Sequence, residues 1–128
     1  MSPTLRRRLA FSAVLTVMAV IFVVSGQPKT DPNDLLWNVP DALQNLLHIP
    51  AYALIAATWC LTLPRWREWR TSVLIVALCV AFGALDEWHQ SFTPGRHADL
   101  HDLLHNAVGA IVGVCLMRCL PSASRAHH

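Results

Sequence analysis

Four apolar stretches, at residues 9–25, 41–63, 71–90 and 100–120, are each long enough to cross a bilayer. A helix rises about 1.5 Å per residue, so about 20 residues span a hydrocarbon layer of about 30 Å. Only short connections remain between them, so residues 1–128 read as a single transmembrane domain. The charge content agrees: 14 % of residues are charged and 54 % hydrophobic, too few charges to clothe a soluble domain of this size. The expected fold is an all-α membrane protein, four transmembrane helices in a compact bundle.

The net charge of +2 is small but unevenly distributed. Arg6, Arg7, Arg8, Arg65, Arg67, Arg70, Arg118 and Arg125 fall at the N-terminus, in the second connection and at the C-terminal end. Only Lys29 and Arg96 fall in the first and third connections. With alternating helices, that bias predicts both termini in the cytoplasm, N-in and C-in. It also accounts for the basic balance, so no nucleic-acid partner is implied.

The four cysteines do not form a disulfide framework. Cys79 is mid-membrane, while Cys60, Cys115 and Cys119 lie towards the cytoplasmic ends. They read as packing residues, with acylation of Cys115 or Cys119 as the alternative. Arg6–Arg8 followed by residues 9–25 resembles a signal peptide, but the apolar run is long for one, and a retained first helix is preferred. Residues 27–40 form the longest loop, broken by Pro28, Pro32 and Pro40, with Leu35, Leu36 and Trp37 available to the membrane interface. Trp59, Trp66 and Trp69 form an aromatic belt at the opposite surface. Pro50 should bend the second helix rather than start it, because a helix from Pro50 to residue 63 is too short to span.

Polarity concentrates where three of these helices meet one surface. At about 100° per residue, Gly83, Asp86, Glu87 and Gln90 share one face of the third helix. Asp99, Asp102, Asn106, Gly109 and Gly113 lie within roughly 80° of each other on the fourth. Asn45, His48, Tyr52 and Trp59 make a similar stripe on the second. Polar side chains at membrane depth are tolerated when they face each other, so the stripes predict an acidic, hydrogen-bonded pocket closed by Arg96. Pro94 and Gly95 are placed for a type II turn that brings Arg96 back over Glu87.

Simpler assignments exist for several of these residues. Asp99 and Asp102 suit a helix N-cap and first turn, and Gly109 and Gly113 form a GxxxG packing motif. His89 fits the headgroup zone, and Arg96 can pair with Glu87 or Asp99. Glu87 and Asn106 are harder to dismiss, lying at or inside the hydrocarbon boundary. His97, His101 and His105 recur every four residues but centre about 110° from the pocket face, which argues against a metal site there.

These residues resemble the VanZ-like family of small bacterial membrane proteins. The resemblance rests on His48 with Tyr52 four residues on. It continues through Gly83, Asp86, Glu87, Gln90, Phe92, Pro94, Gly95 and Arg96, and then through Asp99, Asp102, Asn106, Gly109 and Gly113. It covers roughly residues 44 to 113. Gln44 and Asn45 stand where the family commonly has an Asp-Lys pair, and His97, His101 and His105 are not histidines of its pattern. The resemblance implies a multi-pass protein of the bacterial inner membrane, in a family named for a member linked to teicoplanin resistance.

Three functions compete. In the first, His48, Tyr52, Asp86, Glu87, Gln90, Arg96, Asp99, Asp102 and Asn106 bind a lipid-linked envelope precursor or a glycopeptide without chemistry, Arg96 and a helix N-terminus holding its anion. In the second, the protein is a membrane enzyme with Glu87 as general base, His48 as acid and Arg96 as anion stabiliser. In the third, Asp86, Glu87 and Asp102 carry protons or ions, but the inner halves of the helices lack groups to complete a path. Beyond membrane lipids and the envelope ligand no partner is implied, and no cofactor or metal.

Overall fold

The computed structural model describes residues 1–33, 35 and 38–121. Leu36, Trp37 and Arg125 lie outside the described residues. Four helices form: α1 (Pro3–Ser25), α2 (Asp41–Thr62), α3 (Trp69–Gln90) and α4 (Leu100–Cys119). All four are long and apolar enough to cross a membrane, which makes this a multi-pass membrane protein.

Local chemistry explains the boundaries. α1 starts at Pro3, ahead of its apolar run, because Ser2 caps it by accepting from the Leu5 N–H at 3.2 Å. Proline at the first position and three arginines then extend the helix into polar sequence. α2 runs unbroken through Pro50, as its length required. It stops where Pro64 disfavours helical backbone at Leu63. α4 starts at a capping aspartate, Asp99, whose Oδ1 accepts from the His101 N–H at 2.9 Å.

The helices alternate in direction. Phe11 of α1 meets Trp59 near the end of α2, edge to face at 6.3 Å. At the other end, Phe22 of α1 stacks on His89 of α3 at 4.1 Å. His89 therefore has a packing role between two helices. The core comprises Tyr52, Ile55, Ala56 and Cys60 of α2, Ile75, Cys79 and Phe82 of α3, and Ala110 and Val114 of α4. Large apolar side chains such as Leu54, Leu74 and Leu116 point outward, as suits a surface facing lipid.

Lipid removes most of the hydrophobic drive for helix association, so close backbone packing has to supply it. The α2–α4 pair shows how. Gly109 lies against the backbone of Ile49, and Gly113 against that of Ala53. The GxxxG motif is thus a helix-packing device, as its spacing implied.

The α2–α3 connection is tied to the end of α4 by a network that the charge pattern alone did not suggest. Arg67 donates to the Arg118 carbonyl at 3.2 Å and to the Leu120 carbonyl at 2.8 Å. Arg118 returns a bond to the Arg67 carbonyl at 2.9 Å and another to Ser72 Oγ at 2.8 Å. Two arginines read as topology signals therefore also satisfy carbonyls at a helix C-terminus.

Candidate functional site

At the end opposite this network, the start of α2, the end of α3 and the start of α4 enclose a polar cavity of about 670 Å³. Its roof is the turn between α3 and α4. Gly95 has φ +76° and the Arg96 N–H donates to the Thr93 carbonyl at 3.1 Å, the type II turn expected from Pro94-Gly95. The turn is pinned to the first loop, where the Lys29 N–H donates to the Pro94 carbonyl at 3.0 Å. A side chain at Gly95 would run into the Lys29 carbonyl.

Below the roof, the acidic face of α3 is buried. Asp86 accepts from Ser25 Oγ at 2.5 Å and from Gln90 Nε2 at 3.2 Å, joining α1 to α3. Glu87 Oε2 accepts from the Asp99 backbone N–H at 2.9 Å, while Oε1 has no hydrogen-bond partner. The neighbouring carboxyl is Asp102, within interaction range. With its nitrogen turned inward, the Asn45 amide donates to Asp102 Oδ1 at 3.1 Å and to the Asp41 carbonyl at 3.2 Å. Asn45, standing where the family more often has a charge, thus supplies a donor to a buried carboxylate.

His48 and Asn106 form the next contact. Asn106 Oδ1 lies 2.9 Å from His48 Nδ1, so Nδ1 is the donor of that bond. Asn106 Nδ2 fills the space a side chain at Gly83 would need and has no partner. The buried Tyr52 hydroxyl also has none; its ring lies 6.1 Å from His48 and 6.0 Å from Phe82. Buried polar atoms such as these, without partners among the described residues, are costly unless the site uses them.

The structure corrects the expected closure by Arg96. Among the described residues, Arg96 makes no ion pair with Glu87 or Asp99. Its Nε donates to the Gln27 carbonyl at 3.1 Å and its guanidinium to Gln44 Oε1 at 3.2 Å. The turn directs Arg96 across the cavity toward α2, and Glu87 finds a backbone donor instead. Lys29 pairs with Asp41 at 2.6 Å; its side chain is 12 % exposed and that of Asp41 87 %.

His48, Tyr52, Asp86, Glu87, Gln90, Asp102 and Asn106 are therefore gathered on facing helices, all buried except the half-buried His48. Asp99 sits at the rim as the cap of α4, exposed, with its carboxyl held below the usual range chiefly by the His101 backbone N–H and then by the His101 ring. That stabilising cap is present above the ordinary carboxylate range and is lost as pH falls through the lowered value. His101 and His105 engage their own helix, His105 Nδ1 reaching the His101 carbonyl at 2.8 Å. His97 does line the cavity, contrary to its angle on the wheel, because it precedes α4 and helical geometry does not apply to it. Ser25 and Lys29 were missed as site residues. Ser25 read as the last residue of the first apolar run, and Lys29, the only lysine of the chain, read as a topology signal.

Comparison with known proteins adds one result. The VanZ/LLP1 family model matches residues 10–121, nearly the whole chain. The chain belongs to the VanZ-like family. Among curated proteins and solved structures, nothing matches it. In this VanZ-like chain His48, Gln90, Gly95, Arg96, Asp99 and Asp102 line the cavity, while Tyr52, Asp86, Glu87 and Asn106 are buried among the helices beside it.

Proposed function

We propose that this VanZ-like protein sits in the bacterial inner membrane with both termini in the cytoplasm, and binds an anionic cell-envelope group, lipid-linked or glycopeptide, in a cavity open to the extracytoplasmic side. The supporting observation is Arg96: a half-buried guanidinium on the cavity wall, hydrogen-bonded to a carbonyl and an amide and, among the described residues, in direct ion pair with no carboxylate, although Asp41 lies within reach of its charge. A guanidinium outside any direct ion pair can recognise phosphate or carboxylate through paired donors. Asn45, His48 and Gln90 line the cavity beside it. Holding such a group is the route by which the protein would alter glycopeptide susceptibility.

Arg96→Ala is expected to weaken binding of a polyprenyl phosphate probe in nanodiscs by about tenfold or more, with the melting temperature little changed. Unchanged affinity would move the site away from Arg96. Orientation is tested separately, with Cys115 and Cys119 replaced by serine. Thr30→Cys and Ser91→Cys are expected to label in intact cells, and Glu68→Cys only after permeabilisation; protection at Ser91 would reverse the cavity's orientation.

A second reading, an acid–base enzyme acting on a lipid-linked substrate, is favoured by one observation: Glu87 Oε1 faces the Asp102 carboxyl and takes no donor among the described residues. A general base needs such a free oxygen. It is separated from binding alone by whether Glu87→Gln abolishes turnover while sparing affinity.

A further inference from the structure

Beside the polar cavity, the seam between α1 and α2 holds a second, largely apolar cavity of about 260 Å³. Its apolar walls are Val20, Ile21 and Val24 of α1 with Leu47 and Ala51 of α2. The two cavities adjoin: Gln44, His48, Gln90 and Arg96 line both. α1 packs on the bundle along its length, Val14 being fully buried and Val17 and Met18 lying against the core, while Val20 and Val24 turn to the seam. Phe11 meets Trp59 at one level, while Phe22 on His89 and Ser25 on Asp86 hold the other. Val20 and Val24, each about half exposed, stand at the mouth on the side where lipid lies.

We infer that this seam holds one hydrocarbon chain of an anionic lipid whose headgroup lies in the polar cavity against Arg96. The inference rests on the binding reading above and narrows it from an envelope group of either kind to a lipid entering sideways from the bilayer. A water-soluble anion has no use for an apolar seam beside its chamber on the side where lipid lies. A lipid does, since its chain never has to leave an apolar environment while its head reaches Arg96. Arg96 stands where the two volumes meet, which is where the bond between head and chain of such a molecule has to lie.

The probe is dodecyl phosphate carrying a diazirine at mid-chain, added to the protein in phosphatidylcholine nanodiscs, with labelled peptides mapped by mass spectrometry. The label is expected on Val20, Val24, Leu47 and Ala51, with inorganic phosphate binding at least about tenfold more weakly than dodecyl phosphate. Val24→Trp fills the mouth and Ala51→Phe the floor, and each is expected to reduce specific labelling by about tenfold. Val24 is on the exposed flank, so Val24→Trp decides the matter if Ala51→Phe fails to fold. Label spread evenly over all four helices means bulk lipid only and overturns the seam. So does inorganic phosphate binding as tightly as dodecyl phosphate in an Arg96-dependent way, an outcome that leaves the cavity reading standing. If neither probe depends on Arg96, both the cavity reading and the seam fall.

Discussion

Gly109→Leu is expected to remove most of the folded protein from the membrane, with at least about 3 kcal/mol of stability lost in any fraction that remains. The atom a side chain at Gly109 would meet first is the Ile49 carbonyl oxygen, followed by the rest of that residue's backbone. Backbone cannot change rotamer to make room, so α4 must move off α2. That is the most extensive helix pair in the bundle, and the one that sets the stripe of Asn45, His48 and Tyr52 against that of Asp102 and Asn106. Val108→Leu, next in sequence but on the exposed face, is the control and is expected to have little effect. The measurement is membrane level by immunoblot together with thermal unfolding in detergent. Normal levels and an unshifted midpoint for Gly109→Leu would mean that the helices do not pack through these glycines.

The features read correctly from the sequence share a physical cause. Helix number, spans and the facing polar stripes follow from the cost of polar groups in lipid, which writes a periodic pattern into the chain. Asp86, Glu87, Asp102 and Asn106 could be placed on inward faces for that reason alone. The partner of each group was not legible in the same way. Glu87 was assigned to Arg96 because both are charged and close in sequence, yet its acceptor role is filled by the Asp99 N–H, a donor every residue but proline carries. Ser25 holds Asp86 across 61 positions of sequence, and no local pattern marks a serine at the end of an apolar run as a ligand of a carboxylate. His97 escaped because a helical wheel was applied to a residue before the helix begins. The apolar seam beside α1 was also invisible, because a gap between helices depends on how they pack and not on their composition.

Glu87 provides the sharpest test of these reassigned contacts, through two substitutions that differ in one property. Glu87→Gln keeps an oxygen for the Asp99 N–H and turns an amide toward Asp102, replacing a carboxyl–carboxyl contact with a donor–acceptor one. Its stability is expected to match or exceed that of the parent. Glu87→Leu fills a similar space but leaves the Asp99 N–H and the Asp102 carboxyl without that neighbour, a loss of about 1–3 kcal/mol on thermal unfolding. Because Glu87 and Arg96 share no hydrogen-bond partner, Glu87→Gln and Arg96→Gln are expected to add to within about 0.5 kcal/mol. A coupling well above that would restore the guanidinium to the carboxylate and move the cation away from the wall between the two cavities. The functional readout of the same variant then separates the readings. A stable Glu87→Gln protein that binds polyprenyl phosphate as the parent does, yet lacks the change in teicoplanin susceptibility proposed for the parent, assigns Glu87 to chemistry. One that keeps both confines Glu87 to holding the first turn of α4 in place, and leaves Arg96 as the group on which recognition depends.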